Sequence, residues 1–171
     1  MQSVPTAFSS VKRIAPFGTL PSFCSCISLS KNEEENLGIR YVSLKRLFEE
    51  SDIISIHVPY TRETHEIVNL QLLKRMKPTA FLINTARGKI IKEKDLIFVL
   101  QKKIIAGAAL DVFQKEPIGR KHPFVRMKNV VLTPHIGSST EETRRKMAEI
   151  AVENLILSLS GKNPRYVVNT S

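Results

Sequence analysis

Four short apolar runs recur along the chain: IISIHV at 53–58, AFLI at 80–83, IIAGAAL at 104–110 and VVL at 130–132. Each is rich in β-branched residues and almost uninterrupted by polar ones, the pattern of strands buried on both faces. Between them, residues 43–50, 69–76 and 92–102 space their apolar side chains as helices do, with charged residues on the other face. Strands that alternate with helices are joined by parallel crossovers. The pattern predicts an α/β fold, a doubly wound parallel sheet. A last helix is marked by Ser139 three residues before Glu142, by Met147, Ala151, Leu155 and Leu159 at i, i+4 spacing, and by Gly161 and Pro164 beyond it.

Composition narrows the function. With 42% apolar and 25% charged residues in 171, the chain reads as globular rather than disordered. No apolar run approaches the ~20 residues of a membrane-spanning helix, so no membrane role is expected. Cys24 and Cys26 form neither a disulfide framework nor a metal-ligand set, and they suit a reducing compartment; a cytoplasmic location and no metal are expected. The net charge of +10 asks for an anionic partner. Residues 1–36 hold three basic and three acidic side chains, so the surplus belongs to 37–171, where it is dispersed and lacks interleaved aromatics. A pocket for phosphates and carboxylates is expected, and no nucleic acid.

The chain changes character near residue 37. Before it the sequence is serine- and proline-rich with little periodicity, and Pro5, Pro16 and Pro21 interrupt any amphipathic helix. A transit peptide shows a similar composition, but the plainer reading is a poorly ordered or remodelled start. The expected division is therefore 1–36, a disturbed N-terminal remnant, and 37–171, the regular α/β part.

Open α/β sheets bind ligands outside the carboxyl ends of their strands. Four segments fall there: His57, Val58 and Pro59; NTARG at 84–88; DVFQKEP at 111–117; and TPHIG at 133–137. They bring an arginine, two carboxylates and two histidines to one edge. Reduction of a 2-oxo acid needs such a set. A guanidinium fork holds the substrate carboxylate, and a group titrating near neutrality protonates the carbonyl oxygen. A carboxylate beside that group stabilises its charged form. Arg87, His135 and Glu116 fill these roles, while hydride would come from a nicotinamide that the protein only positions. Singly, Arg87 also reads as a turn residue, Glu116 as a solvated loop residue and His135 as a cap; following consecutive strands, the three together favour the chemical reading.

NTARG at 84–88, ALDVFQKEP at 109–117 and LTPHIG at 132–137 resemble the three signatures of the D-isomer-specific 2-hydroxyacid dehydrogenase family in order and separation, with 29 positions from Arg87 to Glu116 and 19 from Glu116 to His135. The likeness runs almost continuously over 37–169 and is nearest to glyoxylate, hydroxypyruvate and phosphoglycerate dehydrogenases. It implies a Rossmann-like NAD(P)-binding domain, NAD or NADP as cofactor, and a small 2-oxo or 2-hydroxy acid as substrate. It implies that Arg87 binds substrate carboxylate, that His135 is the proton donor and acceptor, and that Glu116 is its partner. Asp111 would face the nicotinamide amide, with Thr85, Ala86 and Gly137 lining that end. His57, Val58, Pro59 and Thr64 would lie along the adenosine and phosphate side.

The chain also departs from the family. It has no G-x-G-x-x-G, and its seven glycines are isolated. KRIAPFG at 12–18 resembles the end of the helix that normally follows the glycine loop. Ser28, Ser30 and Lys31 stand where the ribose-binding acid is expected, which leans slightly toward NADP. With the central first strand missing, the sheet is expected to be incomplete on its N-terminal side, with a gap or an unpaired edge. The family's catalytic domain is missing as well, so weak stability, association and little turnover by the chain alone are expected. The full-length family is implied to be homodimeric, and a complementing fragment would serve the same end. The competing readings are a non-catalytic dinucleotide-binding module resembling a corepressor, and an inactive gene remnant.

Overall fold

The computed structural model describes residues 7–11, 22–26, 32, 35, 36 and 39–167. It holds one seven-stranded sheet in the order β3-β2-β1-β4-β5-β6-β7. The strands are β1 (Ala7–Val11), β2 (Ser22–Cys26), β3 (Ile39–Tyr41), β4 (Ile53–Ile56), β5 (Phe81–Asn84), β6 (Gly107–Leu110) and β7 (Val130–Leu132). The helices with described bounds are α1 (Leu44–Glu50), α2 (Leu70–Leu73), α3 (Glu93–Gln101) and α4 (Glu141–Leu159). The chain divides into two compact units, Met1–His135 and Ile136–Ser171.

Strands β4 to β7 are parallel neighbours, in the doubly wound arrangement that the alternation of strand and helix predicts. Ile54, Ile56 and Leu82 are completely buried in the middle of this sheet. From the helices, Leu47 and Phe48 of α1, Leu73 of α2 and Leu96, Val99 and Leu100 of α3 join the same core. Gly107 opens β6 where a Cβ would come within 2.5 Å of the Asn129 carbonyl oxygen, so only glycine allows that approach.

The N-terminal side differs from expectation. No gap opens beside β4: β1 fills it, antiparallel, with Phe8 opposite Ile56 and Val11 opposite Ile53. It also pairs antiparallel with β2, which in turn runs parallel to β3. The pairing is understandable, because a bare β4 edge would leave a row of backbone donors and acceptors unmatched. Among the described residues, a reversed strand occupies the place of the parallel first strand that the resemblance implies.

Element boundaries shift where local chemistry outweighs apolar patterning. The run 104–110 contributes a strand only from Gly107, because α3 ends through Lys103 in the left-handed region (φ 53°) and Ile104 N–H returns to the Val99 carbonyl. Ile105 is buried but belongs to this connection. The segment 69–76 closes into a single α-helical turn, α2, followed by tight turns at Arg75 and Met76 ahead of Pro78. At α4 the cap is Thr140, whose hydroxyl accepts from Thr143 N–H at 3.2 Å, rather than Ser139. Ser139 instead accepts from the Arg144 guanidinium. None of the residues of α4 is buried, so Met147, Leu155 and Leu159 are exposed despite their helical spacing.

Among the described residues no helix is long and apolar enough to cross a membrane, and no cluster of side chains could hold a metal ion. Leu82→Ala removes a fully buried side chain from the centre of the sheet. It should cost about 2–5 kcal/mol in a urea denaturation series.

Candidate active site

The parallel register brings the carboxyl ends of four strands level. Ile56 pairs with Asn84, Asn84 with Leu110, and Leu110 with Leu132. The next residues, His57, Thr85, Asp111 and Thr133, therefore leave the sheet along one edge. Arg87, Glu116 and His135 come within a few residues of them, and all three line a cleft of about 390 Å3 together with Tyr60, Lys89 and Phe113. A larger concavity, about 570 Å3, lies near Pro78, Lys103 and Asn129, by the amino ends of β6 and β7. It gathers no acid–base pair, so chemistry rather than size identifies the functional edge.

Arg87 is held by a buried asparagine. Asn84 Nδ2 donates to the Arg87 carbonyl at 3.0 Å, and its Oδ1 accepts from Ala86 N–H at 3.1 Å, which closes the turn after β5. The guanidinium is exposed, with Nη1 donating to the Ala86 carbonyl at 2.6 Å. Gly88 permits the turn to press on the next loop: a Cβ there would lie 2.0 Å from the Phe113 carbonyl carbon. Arg87 and the loop bearing Glu116 are thus coupled through backbone contact.

Glu116 uses both carboxylate oxygens. Oε1 accepts from Phe113 N–H at 2.9 Å, which folds the loop back on itself, and Oε2 lies 2.7 Å from His135 Nδ1. The hydrogen bond from the imidazole, then the Phe113 amide, and more weakly the charges of His135 and Arg87, hold the Glu116 carboxyl below the ordinary carboxylate range. With Nδ1 engaged, Nε2 is the ring position left to face a ligand. His135 sits in the left-handed region at φ 56°, which costs a non-glycine residue about 1–3 kcal/mol. That conformation turns the chain after β7 so that the imidazole meets Glu116.

The other expected residues divide into two groups. Asp111 is buried and accepts a short hydrogen bond from the Thr133 hydroxyl, which ties the ends of β6 and β7 together. Thr85 is exposed and Ala86 half-buried at the same edge. Val58 is a core residue, and Thr64 donates to the Pro59 carbonyl at 2.8 Å while accepting from Thr61 N–H, so both shape the loop after β4. His57 is exposed, with Nε2 2.7 Å from Ser55 Oγ. Gly137 falls in the second compact unit, and Ser28, Ser30 and Lys31 lie outside the described residues. Sequence reasoning missed Asn84 as the clamp, and Tyr60 and Lys89 as cleft walls. Their signal was adjacency: one ends an apolar strand, and the others flank Pro59 and the Arg87–Gly88 step.

The nicotinamide end of a dinucleotide fits this edge, where Thr85, Ala86 and Asp111 gather beside Arg87 and His135. Among the described residues the pyrophosphate end finds no matching cradle. Its cradle normally comes after a parallel first strand at the carboxyl edge. Here β1 runs the other way, and its last residue, Val11, pairs with Ile53 and Ser22 at the amino edge.

Comparison with known proteins agrees with the geometry. The family described as D-isomer specific 2-hydroxyacid dehydrogenase, NAD binding domain, matches residues 9–137. A glyoxylate reductase of Korarchaeum cryptofilum is 48% identical over 136 residues, 80% of this chain and 41% of the relative. Glyoxylate/hydroxypyruvate reductase B of Shigella boydii is 45% identical over 139 residues, 81% of this chain and 43% of its own length. Among solved structures, D-lactate dehydrogenase from Aquifex aeolicus, complexed with NAD and lactic acid, superposes with a TM-score of 0.78 at 30% identity, covering 87% of this chain and 50% of that one. The chain therefore spans about two fifths of the length of the curated relatives it matches.

Because the Glu116 carboxyl is depressed, its hold on Phe113 and His135 is complete above the ordinary carboxylate value and is lost as pH falls through its own lower value. His135→Ala removes the largest cause. The Glu116 midpoint, tracked by carboxyl-carbon NMR, should rise toward the ordinary range; a midpoint that stays low would contradict the pairing. Gly88→Ala should destabilise the chain by about 1–3 kcal/mol in thermal melts through forced displacement of Phe113.

Proposed function

The chain belongs to the D-isomer specific 2-hydroxyacid dehydrogenase family through its NAD binding domain, and on that premise we propose that it serves hydride transfer between NAD(P)H and a small 2-oxo acid such as glyoxylate or hydroxypyruvate. The observation that carries this reading is the 2.7 Å contact between Glu116 Oε2 and His135 Nδ1 on the cleft that Arg87 lines.

Each residue has a role that its chemistry supports. Arg87 offers a permanently charged planar fork to the substrate carboxylate. His135 delivers a proton from Nε2 to the carbonyl oxygen, and takes it back in the reverse direction. Glu116 fixes the ring through Nδ1 and stabilises the positive charge that the imidazole carries before delivery. Asp111 and Thr85 line the nicotinamide side. When bound, the reduced nicotinamide supplies the hydride.

The same reading makes residues 37–171 the working part of a dinucleotide domain and 1–36 a remodelled start. In this reading the chain works in the cytoplasm as a homodimer or with a complementing fragment.

The direct test is titration of the purified chain with NADH, NADPH and reduced nicotinamide mononucleotide, monitored by nicotinamide fluorescence. Saturable binding is expected, with the mononucleotide within about 3-fold of the dinucleotides, a difference well under 1 kcal/mol. No binding by a folded chain would overturn the reading. Binding in which glyoxylate causes no oxidation, even with an added catalytic domain, would favour a non-catalytic module. Arg87→Lys should weaken binding of the 2-oxo acid at least ~10-fold, since a point charge replaces a bidentate fork; unchanged binding would remove Arg87 from its role.

A further inference from the structure

A second histidine–glutamate pair lies beside the first and is wired differently. His122 Nε2 is 3.1 Å from Glu93 Oε1, and both side chains are about four-fifths buried (22% exposed each). His122 Nδ1 accepts from Phe124 N–H at 3.3 Å, capping the 3₁₀ turn Pro123–Arg126. Nε2 must then carry the proton and donate it to Glu93. With both ring nitrogens committed, this pair has no nitrogen to offer a ligand.

Its contacts lead instead toward Glu116. Glu93 opens α3, and its Oε2 receives a long contact of 3.5 Å from Gln114 N–H. The Gln114 side chain donates to the Ile91 carbonyl at 3.0 Å, so residue 114 is pinned by main chain and side chain to the start of α3. Gln114 is the neighbour of Phe113, whose N–H grips Glu116 Oε1. At the far end of the loop, His122 ties back to the same Glu93. Beyond the contact of Phe113 with Gly88, the loop borders a cavity of about 220 Å3 lined by Phe113, Lys115, Pro117 and Ile118 as well as by Glu93 and His122.

We propose that Glu93 and His122 are positioning residues: together they strap the loop 113–122 to the first turn of α3 and so fix Glu116 opposite His135, in register with Arg87. Arg87 and Glu93 lie on one short stretch of chain, six residues apart. The strap therefore sets the spacing between the carboxylate-binding fork and the acid–base pair. The inference deepens the proposed function, since Glu116 matters there as the partner of His135.

The test reads Glu116 itself, by carboxyl-carbon NMR across pH on the whole chain, and needs neither cofactor binding nor turnover. Failure of the strap and failure of the proposed function are thus seen separately. In Glu93→Ala the Phe113–Gln114 segment loosens, and the Glu116 midpoint should rise toward the ordinary carboxylate range. Loss of a neighbouring negative charge alone would move it down, so a rise reports geometry. Glu93→Gln loses the same charge but keeps one acceptor, and its midpoint should fall between those of wild type and the alanine variant. His122→Ala should raise the midpoint as well. An unmoved or lowered midpoint in Glu93→Ala, or equal midpoints in the two Glu93 variants, would overturn the proposal. Global loss of amide protection in β4 to β6 in both Glu93 variants would make Glu93 a strut of the fold, which overturns it equally.

Discussion

Everything at the functional edge depends on one constraint, the parallel register of β4 to β7. Parallel strands end side by side, so four chain segments distant in sequence must leave the sheet at the same level. Ile56, Asn84, Leu110 and Leu132 form that level row. The apolar burial of Ile54, Ile56 and Leu82 holds the register, because a slip by one residue would turn buried side chains to the other face. The connections start from that level row, so their first residues inherit their position from the sheet.

The connections are then sharpened by local devices. Asn84 closes the turn under Arg87, and Gly88 lets that turn touch the Phe113 backbone. Glu116 divides its oxygens between its own loop and the imidazole. His135 adopts a left-handed backbone that a β-branched residue would resist. These are costs and constraints of the kind that cluster at ligand sites, where geometry matters more than local stability. The residues meet in an open cleft: His135 is 48% exposed and Glu116 36%. In such surroundings their mutual attraction is screened, so the contact orients more than it stabilises.

Much of this was legible in the sequence because burial and chemistry are written locally. The apolar runs marked the four parallel strands, and polar residues just past them located Arg87, Glu116 and His135. Boundaries were less legible where backbone conformation decides, as at Lys103, where a left-handed residue ends α3 before an apolar stretch that looks like strand. The cap of α4 moved by one residue because Ser139 and Thr140 both suit the role, and spacing to Glu142 cannot rank them. The reversed β1 was not legible at all. Strand direction depends on partners far along the chain, and a five-residue strand carries no mark of it. The Glu93–His122 strap was hidden for the same reason, its members being 29 positions apart.

The reversed β1 also separates two properties that the fold usually joins. The carboxyl edge keeps Arg87, Glu116 and His135 together, while β1 delivers its end to the opposite edge. In the proposed function Arg87, Glu116 and His135 act as one anion-binding, proton-delivering site. Titration of the chain with oxalate, a stable dicarboxylate mimic of a 2-oxo acid, tests it most directly, with the Arg87 Nε–H and His135 Cε1–H resonances monitored together by NMR. Both should shift along one saturation curve, and the His135 shift should be lost in Arg87→Ala. Separate curves, or shifts confined to residues away from this edge, would show that the three residues do not act as one site.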